Sequence, residues 1–445
     1  MKRTLLLKLK EWKEKARRKP LIVRGVRQAG KTYILKEFGR NSFPHTHYIN
    51  FETDKAACSL FQENLSPKVL IQKLSFVLGT PIDKDRDLLI FDEIQECPRA
   101  LTSLKYFEEE MPEQAVCCAG SLLGLHLGPV SFPVGKVNFL NMYPMSFREF
   151  LTALEEEQAL IFLDEAQSTK TLPEIVHTHL WERFKWYCIT GGLPEAVQTF
   201  VKKRDNLFLA FKEVREVQNE LITAYLADMA KHSGEVNAMH LDRLWKAIPE
   251  QLAKSQDASA KKFVFKDVIP GINRYDRLIG VLDWLEKAGL IIRVPIVNRG
   301  HLPFAAYSKE NTFKLFLFDV GILGALSQLA PKEILDQEYG SYKGYFAENF
   351  VAQEFLCNGE EQLYSWQENT AEVEFLRQID GKVIPIEVKS GWVTHAKSLH
   401  LFAAKYHSPY RVIFSAHNLW FGDKARDKAP LFRFPLYMAG EMGKW

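Results

Sequence analysis

Gly25-Val26-Arg27-Gln28-Ala29-Gly30-Lys31-Thr32 follows the GxxxxGK[ST] pattern, a residue set from which a loop can enclose a polyphosphate. The glycines let the chain turn tightly, so that backbone N–H groups face phosphate oxygens. In that chemistry Lys31 reaches the β- and γ-phosphates and Thr32 holds Mg2+. The N-terminus of the following helix favours the anion. Gly25, Val26, Arg27, Gln28, Ala29, Gly30 and Tyr33 complete the expected nucleotide contacts. Further on, Leu88-Leu89-Ile90-Phe91-Asp92-Glu93 is an apolar run ending in two acids. There Asp92 is expected to support the Mg2+ through water, and Glu93 to polarise the attacking water. Ala115-Val116-Cys117-Cys118-Ala119-Gly120-Ser121 reads as a strand ending in a small polar residue. Ser121 is either a sensor of the γ-phosphate or a plain turn serine.

A second set of charges lies near the C-terminus. Glu348 falls in the helical run Gly344–Leu356, Glu374 in Ala371-Glu372-Val373-Glu374-Phe375-Leu376, and Glu387 and Lys389 in Ile386-Glu387-Val388-Lys389. Strand alternation puts Glu387 and Lys389 on one face and Val388 on the other. Charges in an otherwise apolar strand need partners. The order helix glutamate, hairpin acid, Glu-x-Lys resembles the PD-(D/E)xK nuclease core. There, paired carboxylates hold a divalent cation and the lysine orients the nucleophile or offsets charge. This chain has Glu374 where that core usually has Asp, one methylene longer. Two readings follow: an active nuclease, or a retired core whose charges form a salt-bridge network.

The elements that must position these residues follow from periodicity. Short apolar runs at Leu21–Val26, Thr46–Phe51, Leu88–Asp92, Ala115–Ala119 and Val137–Met142 alternate with helical stretches, which predicts a parallel sheet wrapped by helices. Residues 146–232 read as mostly helical, with a break at Gly191-Gly192-Leu193-Pro194 and a long run from Asp205 to Lys231. Lys254–Lys262 reads as a loop. After it, Tyr275 to Lys287 is amphipathic, Gly289 stops it and a strand follows, the shape of a winged-helix tail. Arg277, Lys287 and Arg293 are balanced there by Asp276, Asp283 and Glu286, a mixture that does not make a DNA-reading face.

Composition sets the outer limits. With 445 residues, 47% hydrophobic and 25% charged, the chain is ordinary for a globular protein, and length alone predicts about three domains. The motifs divide it more finely, into 1–150, 151–235, 236–335 and 336–445. A net charge of +3 argues for neither nucleic acid nor a membrane surface. The basic stretch Lys13–Lys19 is read as a solvated helix face before a nucleic-acid contact. No apolar run approaches the roughly 20 residues that span a bilayer. Lys8 and Lys10 interrupt the N-terminal leucines, which therefore predict an amphipathic helix and not a signal peptide. The cysteines at 58, 97, 117, 118, 188 and 357 form no CxxC pair or disulfide framework, and Cys117 and Cys118 are expected as reduced core residues. His45/His47 and His177/His179 lack acids or cysteines at ligand spacing. A reducing, cytoplasmic setting without structural zinc is expected.

Taken in order, Gly25–Thr32, Tyr48-Ile49-Asn50-Phe51-Glu52, Asp92-Glu93-Ile94-Gln95, Ala119–Gly124, Phe132–Val137, Tyr143–Phe150 and Thr190–Glu195 resemble a widespread prokaryotic family of AAA+-like ATPases. These carry a C-terminal domain of unknown function with a nuclease-like fold. The resemblance runs nearly end to end and rests on motif order. It implies an α/β fold: an additional-strand (ASCE) P-loop NTPase sheet (1–150), a helical lid (151–235), a winged helix (236–335) and a restriction-endonuclease-like domain (336–445). In such ATPases the winged-helix module often serves as a lid, and for residues 275–293 that reading comes first. The resemblance also implies ATP and Mg2+ as ligands and an ATP-driven conformational switch. The alternatives are a non-hydrolysing ATP-gated interaction module and an ATP-gated metal-dependent DNA nuclease with Glu348, Glu374, Glu387 and Lys389 as its site. Nucleic acid and a protein partner are both left open, as is oligomeric state. Arg27, Arg148 and Arg274 are candidates for an arginine finger, each with a structural alternative, and Lys136 is left open between a phosphate contact and no such contact.

Overall fold

The computed structural model describes residues 2–120, 133–254, 262–272, 274–336, 344–391, 397–422 and 429–444. They form two compact units, Lys2–Tyr143 and Pro144–Trp445. Ser121, most of Ala119–Gly124 and most of the Lys254–Lys262 loop lie outside the described residues.

In the first unit, α1 (Leu5–Lys13) buries Leu5, Leu9 and Trp12, one stripe at helical spacing, and leaves Lys8 and Lys10 exposed. It is the amphipathic helix expected from the sequence. β1 (Leu21–Arg24), α2 (Lys31–Ser42), β2 (Thr46–Asn50), α3 (Lys55–Glu63), α4 (Pro67–Leu78), β3 (Leu88–Asp92), α5 (Pro98–Glu110), β4 (Ala115–Gly120) and β5 (Asn138–Asn141) follow. All five expected strands form, within two residues of the predicted ends. Every residue of β3 and β4 is buried, as strands covered on both faces require. The sheet runs β2-β3-β4-β1-β5 and is parallel throughout. Strand β4 therefore lies between the loop strand β1 and the acid strand β3, the additional strand that the resemblance implies.

The cysteine expectation needs one correction. Cys58 on α3 and Cys97, the residue before α5, are disulfide-bonded with Cα atoms 5.7 Å apart. Thirty-nine residues separate them, and only the packing of α3 on α5 brings them together. Cys117, Cys118 and Cys188 are buried free thiols, and burial pushes all three well above the ordinary thiol pKa.

The second unit opens with helices: α6 (Phe147–Ala153), α7 (Glu157–Thr169), α8 (Glu174–Thr190), α9 (Pro194–Lys203), α10 (Leu207–Ser233), α11 (Glu235–Lys254) and α12 (Tyr275–Lys287). Ser146 and Glu149 close a reciprocal capping box on α6. The Gly191-Gly192 break between α8 and α9 is a docking point for Asp319. Asp319 Oδ2 accepts the Gly192 N–H at 2.7 Å, and a Cβ on Gly191 would lie 2.2 Å from Asp319 Oδ1. Burial pushes this carboxyl up to about 6.

After Gly289, β6 (Ile291–Val297) and β7 (Ser308–Leu317) pair as a hairpin, so the helix, glycine stop and strand occur where the pattern predicts them. Then come α13 (Val320–Leu326), α14 (Pro331–Asp336), α15 (Gly344–Cys357), β8 (Tyr364–Glu368), β9 (Ala371–Ile379), β10 (Lys382–Val388), α16 (Lys397–Tyr406), β11 (Arg411–Ser415), β12 (Trp420–Phe421) and β13 (Leu431–Pro435). Asp380 and Gly381, both at positive φ, make the two-residue turn of the β9–β10 hairpin. The strands form one mixed sheet, β12-β13-β11-β10-β9-β8-β6-β7. The β6–β7 hairpin joins it through the parallel pairs Ile296–Ser365 and Val297–Trp366, so strands on both sides of residue 336 share one sheet.

Glu354 on α15 is 2% exposed, and its Oε1 accepts the Phe147 N–H at 2.7 Å. Burial, with repulsion from Glu441 and Glu149, pushes its carboxyl up to about 8. An acid whose pKa is raised in the folded state holds its proton more tightly there than when unfolded. Its stabilising contribution is whole below the unfolded pKa of 4.5 and is lost as pH rises through about 8. Glu354→Gln keeps a carbonyl acceptor for Phe147 and removes the titration. In urea denaturation the native chain should lose about 2–3 kcal/mol more than this variant between pH 6 and 9. Equal losses would show that Glu354 is ionised already at pH 6.

Candidate functional site

The loop between β1 and α2 turns as its glycines allow. Gly30 sits at φ +93° and Gln28 at +66°. A Cβ on Gly25 would lie 2.0 Å from the Met142 carbonyl oxygen, a backbone atom held in turn by the Met142 N–H to Arg24 O bond of 2.7 Å. Lys31 opens α2 and folds back under the loop, its Nζ donating to Gly25 O and Val26 O at 2.9 Å each. Burial pushes this ammonium down to about 8; Glu93 and Asp92 act upward and Arg27 downward. Val26 and Ala29 are buried, Arg27 is half-buried, and Gln28 and Tyr33 are exposed.

Arg3 buttresses the loop from outside its sequence. Its guanidinium donates to Ala29 O at 3.0 Å and to Tyr143 O at 2.6 Å. Nothing in the local spacing marks this residue, because both partners are distant in sequence.

Of the two acids at the end of β3, Asp92 is hydrogen-bonded to the first turn of α2. The Thr32 hydroxyl donates to Asp92 Oδ2 at 2.7 Å across 60 residues, and the Glu93 N–H donates to Asp92 Oδ1 at 3.0 Å. Two further side chains were not singled out from sequence. The Tyr48 hydroxyl donates to the same Asp92 Oδ2 at 2.7 Å, and Gln95 Nε2 donates to Glu93 Oε2 at 2.6 Å. Burial and the bond to Asp92 raise the Tyr48 phenol well above its ordinary pKa, so it stays a donor. Lys36 Nζ stands 3.5 Å from the centre of the Tyr48 ring. One signal could have found Tyr48: Asn50 pairs with Asp92 in register, and Tyr48 lies two residues from it on the same face of β2.

The remaining basic candidates have structural partners. Arg148 binds Asp164 at 2.6–2.7 Å and Glu441 at 3.4 Å, and Arg274 binds Asp276 at 3.0–3.1 Å. Lys136 Nζ is 3.0 Å from both Glu108 and Glu109, a pair of acids on α5, which favours the alternative to a phosphate contact. His45 and His47 do gain an acid, Asp87, which receives them at 3.3 and 3.0 Å on separate oxygens, and His179 lies 2.9 Å from Glu156.

In the second unit, Phe375 of β9 pairs with Ile386 of β10, which sets Glu374 across from Glu387 at the next position. They are 2% and 5% exposed. Burial pushes the Glu387 carboxyl up to about 8, and the Glu374 charge beside it adds to the shift. Lys389 forms an ion pair with Glu387 and continues the ladder by donating its N–H to Phe414 O, so the two side chains do share a face. Glu348 is drawn elsewhere. Its Oε2 lies 3.3 Å from Lys314 Nζ, a 2% exposed lysine on β7 that also meets Glu372 at 2.6 Å. Among the described residues no three His, Cys, Asp or Glu side chains are arranged to hold a metal ion. The expected three-acid grouping of Glu348, Glu374 and Glu387 is corrected accordingly: Lys314, invisible to the motif, competes for the helix glutamate.

Residues 17–151 match a family described as an AAA domain, a range that contains the loop, Asp92 and Glu93. Residues 182–333 match a Domain of unknown function (DUF8612), and residues 343–431 a Domain of unknown function (DUF4143). No curated protein matches the chain. Among solved structures, the chain is similar to the Walker-type ATPase PABY2304 of Pyrococcus abyssi, at 17% identity and a TM-score of 0.43, over 72% of this chain and 94% of that one. It is also similar to the Orc1 protein of Aeropyrum pernix in complex with DNA, at 14% identity and a TM-score of 0.26, over 73% and 90%. A third is AMPPCP-bound DnaA from Aquifex aeolicus, at 13% identity and a TM-score of 0.28, over 60% and 82%. No helix among the described residues is long and apolar enough to cross a membrane.

Proposed function

We propose that the first unit binds ATP with Mg2+ and hydrolyses it, and that the chain uses this cycle as a conformational switch. The observation that carries the reading is the meeting of loop and acid strand: the Thr32 hydroxyl on Asp92, with Lys31 folded beneath the glycines. The AAA domain match over the same residues supports it.

The donor set suits the ligands. Thr32 and Asp92 offer hard oxygens, the kind Mg2+ takes. A Mg2+ held by these two residues would offset charge on the triphosphate. Lys31 exchanges two loop carbonyls for phosphate oxygens, a stronger bond because donor and acceptor are then both charged. The unpaired N–H groups at the start of α2 and their dipole favour the anion. Glu93 takes the proton of the attacking water as its oxygen closes on the γ-phosphorus, and ADP leaves with the electron pair of the broken bond. Steady-state ATP hydrolysis in Mg2+ tests the reading. Nucleotide binding without turnover would leave a non-hydrolysing switch in its place.

For the rest of the chain we keep the sequence partition as a proposal: helical lid to 235, winged helix to 335, and a nuclease-like effector after it, with nucleic acid as its partner class. One observation favours a second reading, a metal-dependent nuclease. Glu374, Glu387 and Lys389 converge, and Glu387 Oε2 is buried without a hydrogen-bond partner. A divalent cation would take the place of the proton that burial holds on Glu387; when bound, it would activate water for phosphodiester attack. If this reading holds, the intact chain should cut single- or double-stranded DNA in Mg2+ or Mn2+, and Glu387→Ala and Lys389→Ala should each abolish cutting. No cleavage with or without ATP would assign the cluster to a retired core.

A further inference from the structure

Glu93 needs a fixed direction to act on water, and its own segment does not supply one. It sits just past β3 at φ +47° and ψ +48°, the left-handed region, where its main chain is held by its N–H to Asp92 Oδ1 and its carbonyl by the Glu96 N–H at 2.9 Å. These bonds leave the side-chain torsions undetermined. The bond that orients the carboxylate comes from two residues on: Gln95 Nε2 to Glu93 Oε2, 2.6 Å. Gln95 is itself fixed by the single 3-10 turn Ile94–Glu96, anchored by Ile94, which is fully buried in the core of the first unit.

We propose that Gln95 is a positioning residue for hydrolysis, holding one oxygen of Glu93 so that the other is left to take the proton of the attacking water. This rests on the ATPase reading of the same site. Two features of the geometry favour it over a packing role. First, Gln95 Oε1 is buried without a hydrogen-bond partner. Most buried polar atoms are paired, and here the amide is set by its donor end, with its oxygen left over. Turning the amide over would not help, because it would set two acceptors against each other at 2.6 Å. The side chain is therefore committed to Glu93. Second, the donor is neutral. A lysine or arginine there would orient the carboxylate equally well but would stabilise its charge and weaken it as a base. An amide orients with less loss of basicity.

The experiment measures kcat, KM for ATP and the affinity for a fluorescent ADP analogue in the intact chain and in Gln95→Ala, Gln95→Glu, Glu93→Gln and the double variant Glu93→Gln/Gln95→Ala. A hydrogen bond to a charged group accounts for roughly a tenfold to hundredfold change. We expect kcat to fall by about that factor in both Gln95 variants, with KM and ADP affinity unchanged. Gln95→Glu keeps size but loses the donor, so it should not rescue. Because Gln95 acts through Glu93, the double variant should be no slower than Glu93→Gln in single turnovers. Unchanged or faster turnover in Gln95→Ala overturns the proposal, as does a loss carried by KM or ADP affinity, or a further loss in the double variant. If the intact chain binds ATP without hydrolysing it, the ATPase reading falls and takes this proposal with it. If Glu93→Gln abolishes turnover and the Gln95 variants turn over as fast as the intact chain, only the proposal fails.

Discussion

Glu93→Gln should give a protein that binds ATP and does not hydrolyse it. The substitution keeps the shape of the side chain and an oxygen to accept from Gln95, but a carboxamide cannot take a proton from water. Loss of a general base costs about a hundredfold to ten-thousandfold in rate. Binding should survive because the groups assigned to phosphate and metal, Lys31, Thr32 and Asp92, are untouched, and the Glu93 N–H bond to Asp92 uses the backbone. The measurement pairs steady-state hydrolysis with nucleotide affinity. Turnover within a few-fold of the unsubstituted chain would remove Glu93 from the mechanism.

Lys31→Ala should act one step earlier, on binding. Nζ of Lys31 is the buried cation of the loop, held by two carbonyls in the position from which it can reach phosphate. Replacing it by a methyl group removes at least two charge-assisted hydrogen bonds, each contributing about 1.5–3 kcal/mol, so affinity for ATP should fall by about a hundredfold or more. The fold should tolerate the change better than the ligand does. Burial already pushes this ammonium down to about 8, so near neutral pH the folded chain carries a charge it binds less tightly than the unfolded chain would. That strain is absent from the variant. Affinity for ATP within a few-fold of the unsubstituted chain would contradict the assignment of the loop as the phosphate site.

Much of the first unit was legible because its signals are local. Leu88–Phe91 is apolar throughout and, with Asp92, becomes the fully buried β3, and the glycine-lysine-threonine spacing becomes a loop with positive φ at Gly25, Gln28 and Gly30. Tyr275–Lys287 followed by Gly289 becomes helix, stop and strand for the same reason. The residues that escaped notice all act across long separations. Arg3 reaches Ala29 and Tyr143, Cys58 reaches Cys97, and Lys314 reaches Glu348 and Glu372. Gln95 is the exception: it lies only two residues from Glu93, yet a helical or strand period would not bring the two side chains together. The 3-10 turn does; the motif Asp92-Glu93-Ile94-Gln95 marked the residue without giving it a role.

The sequence by itself determined the order of the elements, the phosphate loop and the pair of acids on which it depends, since periodicity and glycine placement act within a few residues. Tertiary structure alone decided how the charges are shared out. Whether Lys136 faces a phosphate or Glu108, and whether Glu348 joins Glu374 and Glu387 or turns to Lys314, depends on which opposite charge the fold brings within about 3 Å. Side-chain type sets what an ionisable group can do; the neighbours that packing supplies set what it does.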